Sequence, residues 1–126
     1  MPSFTPQQVV DFMHEADNEL ETLSTQLTWF KAQRDFWKNR LDMDRAAFRD
    51  SYNGSQAKAE VAALANVGLD KVIEIPWEGR TLNLPEMVLY CQIGFDWVSN
   101  RYQYVHDHLM VLMSVNKNVM ADYGRA

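Results

Sequence analysis

Residues 5–48, TPQQVVDFMHEADNELETLSTQLTWFKAQRDFWKNRLDMDRAAF, contain the pattern that decides the fold. Apolar side chains recur at alternating steps of four and three, the seven-residue repeat typical of helices that pack as coiled coils. Ten of the twelve repeat positions are apolar, and the set is Val9, Met13, Ala16, Leu20, Leu23, Leu27, Phe30, Arg34, Trp37, Leu41, Asp44 and Phe48. Thr5 and Gln8 have the spacing of a capping box, and Pro6 suits the first turn. The pattern therefore predicts one long helix over residues 5–52.

A second repeat of the same kind covers residues 84–123. Eleven of its twelve positions are apolar or Tyr, namely Leu84, Val88, Cys91, Phe95, Val98, Tyr102, Val105, Leu109, Leu112, Asn116, Val119 and Tyr123. Asn83 and Glu86 again have capping-box spacing. Two helices of about 60 Å each, separated by a long connection, predict a mainly α fold: a long antiparallel helical hairpin that resembles a coiled coil. Polar residues within such repeats fix register or mark where a partner docks.

The connection predicts two small elements. Asn53-Gly54 is a turn dipeptide, and the alanine-rich residues 55–67 are expected to form a short helix that ends at Gly68. Residues 72–83 place two short β-branched or apolar runs around Pro76, which predicts a small β-hairpin. At 126 residues, one domain is expected over residues 1–126.

Composition limits the classes of function. The net charge is −5, from 12 basic and 17 acidic residues, and 47% of the residues are hydrophobic, so a disordered chain is excluded. The adjacent residues 106–108, His-Asp-His, point in different directions on a helix, and Cys91 lies at a core position. We therefore expect no metal, no cofactor and no enzymatic activity. We expect a cytoplasmic protein, because no apolar run reaches the length of a membrane span and no signal peptide is evident.

Several features predict a homodimer or a larger oligomer. Residues 109–115 are apolar around nearly the whole helix, which one neighbouring helix cannot cover. Residues 1–30 contain acids and no Lys or Arg, whereas residues 31–50 are rich in bases. An antiparallel pair of two copies would set these halves against each other. The alternative is an ordinary solvated helix with acids near its N-terminus.

Two sets of residues are candidates for binding. The candidate partner-binding residues are the aromatics and one arginine of the helix and the turn, Trp29, Phe36, Trp37, Trp77 and Arg80. The aromatics of residues 29–37 can also line a small-ligand pocket. The alternative is single-stranded nucleic acid, which is bound by bases interleaved with aromatics; its candidates are Lys31, Arg34, Lys38, Arg45 and Arg49. Four interspersed aspartates favour a salt-bridged surface for these bases instead.

Trp77-Glu78-Gly79, between two long helices, resembles the WXG family of secreted helical hairpins. That resemblance implies a secreted hairpin. It covers three residues and the outline of the fold, and the connection here is much longer than the tight turn of that family.

A broader resemblance links residues 46–63 and 112–123 to small helical proteins encoded by tailed phages. It implies a phage early protein in the host-cell cytoplasm, of a kind sometimes found near recombination genes, and it carries over no functional residue. The function we expect is therefore a noncatalytic helical interaction protein that binds a host or phage protein. The alternative is an accessory of phage recombination that binds single-stranded nucleic acid.

Overall fold

Three helices and one β-hairpin make up the described part of the chain. The computed structural model describes residues 5–124, with side chains for residues 5–122. The elements, in order, are α1 (Pro6–Ser51), α2 (Gln56–Asn66), β1 (Ile73–Ile75), β2 (Arg80–Leu82) and α3 (Leu84–Gly124). The long helix α1 packs against the long helix α3, and the two strands pair antiparallel. The predicted fold class is confirmed, and the helices begin and end within a residue or two of their predicted bounds.

Side-chain caps explain where the helices begin. The Thr5 N–H donates to Gln8 Oε1 over 3.0 Å, and the Gln8 N–H donates to Thr5 Oγ1 over 3.2 Å. Asn83 and Glu86 exchange the same two bonds before α3, both at 2.9 Å. Each pair satisfies two backbone N–H groups that the helix leaves without partners. Both predicted capping boxes are therefore present.

The chain divides into two compact units. The terminal unit contains α1 as far as Thr28 and α3 from Asp96, and the central unit is Trp29–Phe95. The core of the terminal unit consists of repeat residues from both helices, Val9, Ala16, Leu23, Val98, Val105 and Leu112, all buried. Near them Arg101 Nε donates to Glu19 Oε1 over 2.7 Å. This unit is therefore held by the predicted apolar repeat, with the Glu19–Arg101 ion pair at its surface.

The central unit has two neighbouring clusters of buried side chains. One joins α1, α2 and α3 through Leu41, Ala63, Val67 and Leu84. The other joins the hairpin to α3 through Ile75, Leu82, Met87 and Cys91. Trp37 and Ile73 pack against both clusters. Trp37 is therefore part of the core. Its contacts with both clusters help to hold the hairpin against the helices.

The hairpin presents one face to the protein. Its register pairs Ile73 with Leu82 and Ile75 with Arg80, and directly paired residues share a face of the ladder. Ile75 and Leu82 are buried on that face. Gly79 closes the turn with φ +63, a backbone conformation that suits glycine. This arrangement brings Arg80 to the same side as the core residues and puts Trp77 at the tip.

Candidate partner-binding surfaces

The hairpin tip is tied to α3 by a chain of polar contacts. Trp77 Nε1–H donates to the Tyr90 hydroxyl over 3.2 Å, and that hydroxyl donates to Glu78 Oε1 over 3.0 Å. Arg80 Nε lies 2.7 Å from Glu78 Oε2, and the Arg80 guanidinium carbon lies 5.8 Å from the centroid of the Tyr90 ring. Together with Trp29, these four residues form what we call the hairpin surface.

Aromatic rings hold the same surface in place. The rings of Trp29 and Trp77 meet edge to face with centroids 5.6 Å apart. Trp29 also contacts Phe30 at 5.0 Å, and Phe30 lies 6.3 Å from Tyr90. These separations are those of favourable aromatic pairs. Trp77 nevertheless leaves 62% of its surface exposed. The indole is thus both accessible and fixed in orientation.

The electrostatics keep Tyr90 protonated. Burial raises the pKa of the Tyr90 hydroxyl above its ordinary value of 10.0, and Glu78 raises it further, while the Trp77 hydrogen bond and Arg80 act in the opposite direction. Since a neutral phenol can accept one hydrogen bond and donate another, Tyr90 accepts from Trp77 and donates to Glu78 at neutral pH.

An apolar groove borders the hairpin surface. We call it the hairpin groove; it has a volume of about 360 Å³, and it is lined by Arg80, Leu82, Glu86, Leu89, Tyr90 and Ile93. Leu89 and Ile93 are one helical turn apart on α3, and both are exposed. The groove therefore offers accessible aliphatic surface next to ordered Trp, Tyr and Arg side chains.

A second groove lies on the central unit, between α1 and the segment that leads into β1. This Phe36 groove, of about 280 Å³, is lined by Phe36, Trp37, Arg40, Lys71, Val72, Ile73 and Leu84. Both charged residues in its lining are basic. Phe36 and Trp37 meet edge to face at 4.9 Å, so their rings form an aromatic corner.

The structure separates the sequence-predicted partner-binding candidates. Trp29, Trp77 and Arg80 come together on the hairpin surface. Phe36 and Trp37 line the other groove, where Trp37 also donates from Nε1 to Gln33 Oε1 over 3.1 Å. Sequence reasoning missed Tyr90, Leu89 and Ile93 of the hairpin groove, as well as Arg40, Lys71 and Val72 of the Phe36 groove. The apolar residues between repeat positions at 89, 90 and 93 were the available signal, because they widen the apolar face of α3.

The candidate nucleic-acid residues do not share one environment. Lys31 and Lys38 are exposed, whereas Arg34, Arg45 and Arg49 are half-buried. The Arg34 guanidinium lies 4.4 Å from the centroid of Phe95 and pairs with Asp35 at 3.2 Å. Arg45 Nε is enclosed without a hydrogen-bond partner among the described residues. The two lysines therefore give the accessible positive charge of this set.

The terminal unit carries a third exposed surface. Trp97, Tyr104 and Val111 follow one another at seven-residue intervals on α3, and all three are exposed. We call them the outer stripe. Arg101 lies over the Tyr104 ring at 5.2 Å, and Tyr104 stacks on His108. This seven-residue spacing is the one at which a further helix packs along a helix in a coiled coil.

The described residues include few buried side chains that could react or bind a metal ion. Burial raises the pKa of the Cys91 thiol to about 11. Residues 5–124 contain no group of three or more His, Cys, Asp or Glu side chains arranged to hold a metal ion. Within the same range, no helix has an apolar stretch long enough to cross a lipid bilayer.

The chain matches no protein-family model, no curated protein sequence and no solved structure.

Proposed function

We propose that this chain is a noncatalytic interaction protein that binds a partner protein through the hairpin surface and the adjoining groove. The observation that supports the proposal is the state of Trp77, which is largely exposed yet fixed by Tyr90 and Trp29. Trp, Tyr and Arg are the residue types that most often dominate binding energy. Side chains that are already ordered lose less conformational entropy on binding.

The charges and shape of the surface define the kind of partner. Arg80 is paired with Glu78, so neither leaves a strong unbalanced charge. The hairpin groove beside Arg80 is lined by the apolar residues Leu82, Leu89 and Ile93, together with Glu86 and Tyr90. An amphipathic helix that inserts apolar side chains into a groove fits this description. The resemblance to phage early proteins suggests that the partner is a host or phage protein in the cytoplasm of the host cell.

Self-association is a second part of the proposal and uses the outer stripe. Exposed large apolar side chains at seven-residue spacing favour a helical neighbour, and a second copy of the chain supplies one. Sedimentation equilibrium should give twice the chain mass of 14.7 kDa, and Tyr104→Lys/Val111→Lys should return the mass to a single chain. A wild-type protein that sediments as one chain at all concentrations would refute the dimer, without bearing on the hairpin surface.

Quantitative affinity capture tests the partner proposal. Tagged wild-type chain, Trp77→Ala and Leu64→Ala would be compared in extracts of the cells in which the protein is made. Leu64 is the matched control, because it lies on α2 and has the same exposed fraction as Trp77, 62%. We expect one protein to be retained by wild type and by Leu64→Ala and to be depleted about tenfold or more with Trp77→Ala. Equal retention by Trp77→Ala would refute the assignment.

A further inference from the structure

The Phe36 groove combines an aromatic corner with unbalanced positive charge. Phe36 and Val72 are among the more exposed apolar side chains of the central unit, at 59% and 72%. Trp37 forms the inner wall and meets Phe36 at an interplanar angle of 85°. The two rings are therefore nearly perpendicular, so a flat ring that stacks on one of them is nearly perpendicular to the other. Such a corner suits an aromatic ligand better than an aliphatic one.

The charges around the groove select an anion. Arg40 and Lys71 are the charged residues of its lining, and no carboxylate lines it. Asp44 contacts Arg40 at 3.5 Å and offsets part of its charge. Lys71 has no ion pair among the described residues. A ligand that couples an aromatic ring to an anionic group matches both features, and a nucleotide is the common biological molecule with that combination.

The size of the groove sets how much ligand it holds. Its volume of about 280 Å³ lies just below the usual range of small-molecule pockets, which is about 300–1,000 Å³. One nucleotide unit fits that size, whereas a dinucleotide cofactor would not.

We infer that the Phe36 groove binds one nucleotide unit, with its base against Phe36 and Trp37 and its phosphate at Arg40 and Lys71. The nucleotide is either free or part of a single strand, since both offer the same base and phosphate. The site uses none of the residues of the hairpin surface. A negative result for nucleotide binding would therefore not count against the proposed partner binding, and the reverse also holds.

Fluorescence anisotropy with a short labelled oligothymidylate tests the inference. The titration would be run with wild type, Lys71→Glu and Lys58→Glu at salt concentrations between about 50 and 200 mM. Lys58 is the matched control, because it is an exposed lysine on α2 outside the groove. We expect Lys71→Glu to weaken binding about tenfold and to reduce the salt dependence by roughly one phosphate contact. Lys58→Glu should change the dissociation constant less than about twofold.

A second variant and competitors complete the test. Phe36→Ala should weaken binding about tenfold by removing a stacking surface, and Phe36 is not one of the buried core residues. Displacement by thymidine monophosphate would identify a free-nucleotide site, and displacement only by unlabelled oligonucleotide would identify a strand site. Both results support the inference. Absence of binding at low salt, equal losses with Lys71→Glu and Lys58→Glu, or displacement by an acidic aromatic peptide alone would overturn it.

Discussion

The indole N–H of Trp77 donates a hydrogen bond to the hydroxyl of Tyr90 over 3.2 Å, which links the tip of the β-hairpin to the middle of the central unit's α3 segment. The same hydroxyl donates a hydrogen bond to Glu78 Oε1. A turn of this length would otherwise leave its tryptophan free to sample several rotamers. The bond therefore converts an exposed loop residue into an ordered binding surface.

Tyr90→Phe tests this link directly. The variant keeps the ring and removes the hydroxyl, so we expect the free energy of unfolding to fall by about 1 kcal/mol, the usual net value of such bonds. The indole N–H resonance of Trp77 should shift in a proton–nitrogen correlation spectrum. Tyr104→Phe is the control, since its hydroxyl has no hydrogen bond among the described residues. An unchanged Trp77 resonance in Tyr90→Phe would show that the bond does not hold the indole.

Cys91 provides a prediction about pH. Folding raises the pKa of its thiol from 9.0 to about 11 because the side chain is buried. The neutral thiol is thus favoured by the fold. Its contribution to stability is complete below pH 9 and is lost as the pH rises toward 11. In Cys91→Ala this contribution should be absent, so its stability should decline less over that range. Equal declines for both proteins would contradict the assignment.

The same burial predicts slow chemical modification. At a pH below both values, a pKa of about 11 in place of 9.0 lowers the thiolate fraction about a hundredfold. Only the thiolate reacts with thiol reagents. Labelling of Cys91 near neutral pH should therefore be about a hundredfold slower in the folded chain than in denaturant, and slower still where access is blocked. Comparable labelling rates in the two states would show that the thiol is not buried.

Gly94→Ala is expected to destabilise the central unit, although alanine is the better helix former by about 1 kcal/mol. A Cβ at this position would overlap the Phe30 ring. That ring is confined by Trp29 and Tyr90, so it cannot move without disturbing them. We expect a net loss of about 1–3 kcal/mol in urea unfolding. Phe30→Leu/Gly94→Ala should recover part of that loss, and a stable Gly94→Ala alone would refute the close contact.

The Glu19–Arg101 contact reports how the helices pair in the terminal unit. The two groups meet at 2.7 Å, and this hydrogen bond raises the pKa of the Arg101 guanidinium. Each single reversal, Glu19→Arg or Arg101→Glu, should lower the melting temperature slightly, because like charges then face each other. The double reversal should restore it. Additive losses in the double variant would mean that the two residues are not neighbours in solution.

The apolar repeat predicted the core of the terminal unit and the part that the long helices contribute to the core of the central unit, because burial follows it closely. The other core residues of the central unit lie outside the repeat, namely Ala63, Val67, Ile75, Leu82 and Met87. All 23 repeat positions whose side chains are described are buried or half-buried, from Val9 to Val119. Even Arg34, a polar position in the repeat, points inward and lies over Phe95. Helical periodicity is a local property of the chain, so the sequence alone is enough to define these faces.

The binding surfaces could be predicted only in part. Trp29, Trp77 and Arg80 were recognisable as residues of the right type, but their assembly depends on how the hairpin lies on α3. Tyr90 stands outside the repeat, and its partner Trp77 comes from another element. Lys71 and Arg40 are likewise brought to one groove by tertiary packing. No local pattern encodes these contacts.

Hydrogen–deuterium exchange of the complex with the captured partner is the most direct measurement of the central proposal. If the partner binds at the hairpin surface, exchange of the backbone amides in residues 73–82 and around Tyr90 should slow on binding, whereas residues 56–66 of α2 should be unchanged. Slowing confined to α2 or to the outer stripe, with residues 73–82 unaffected, would contradict the proposal.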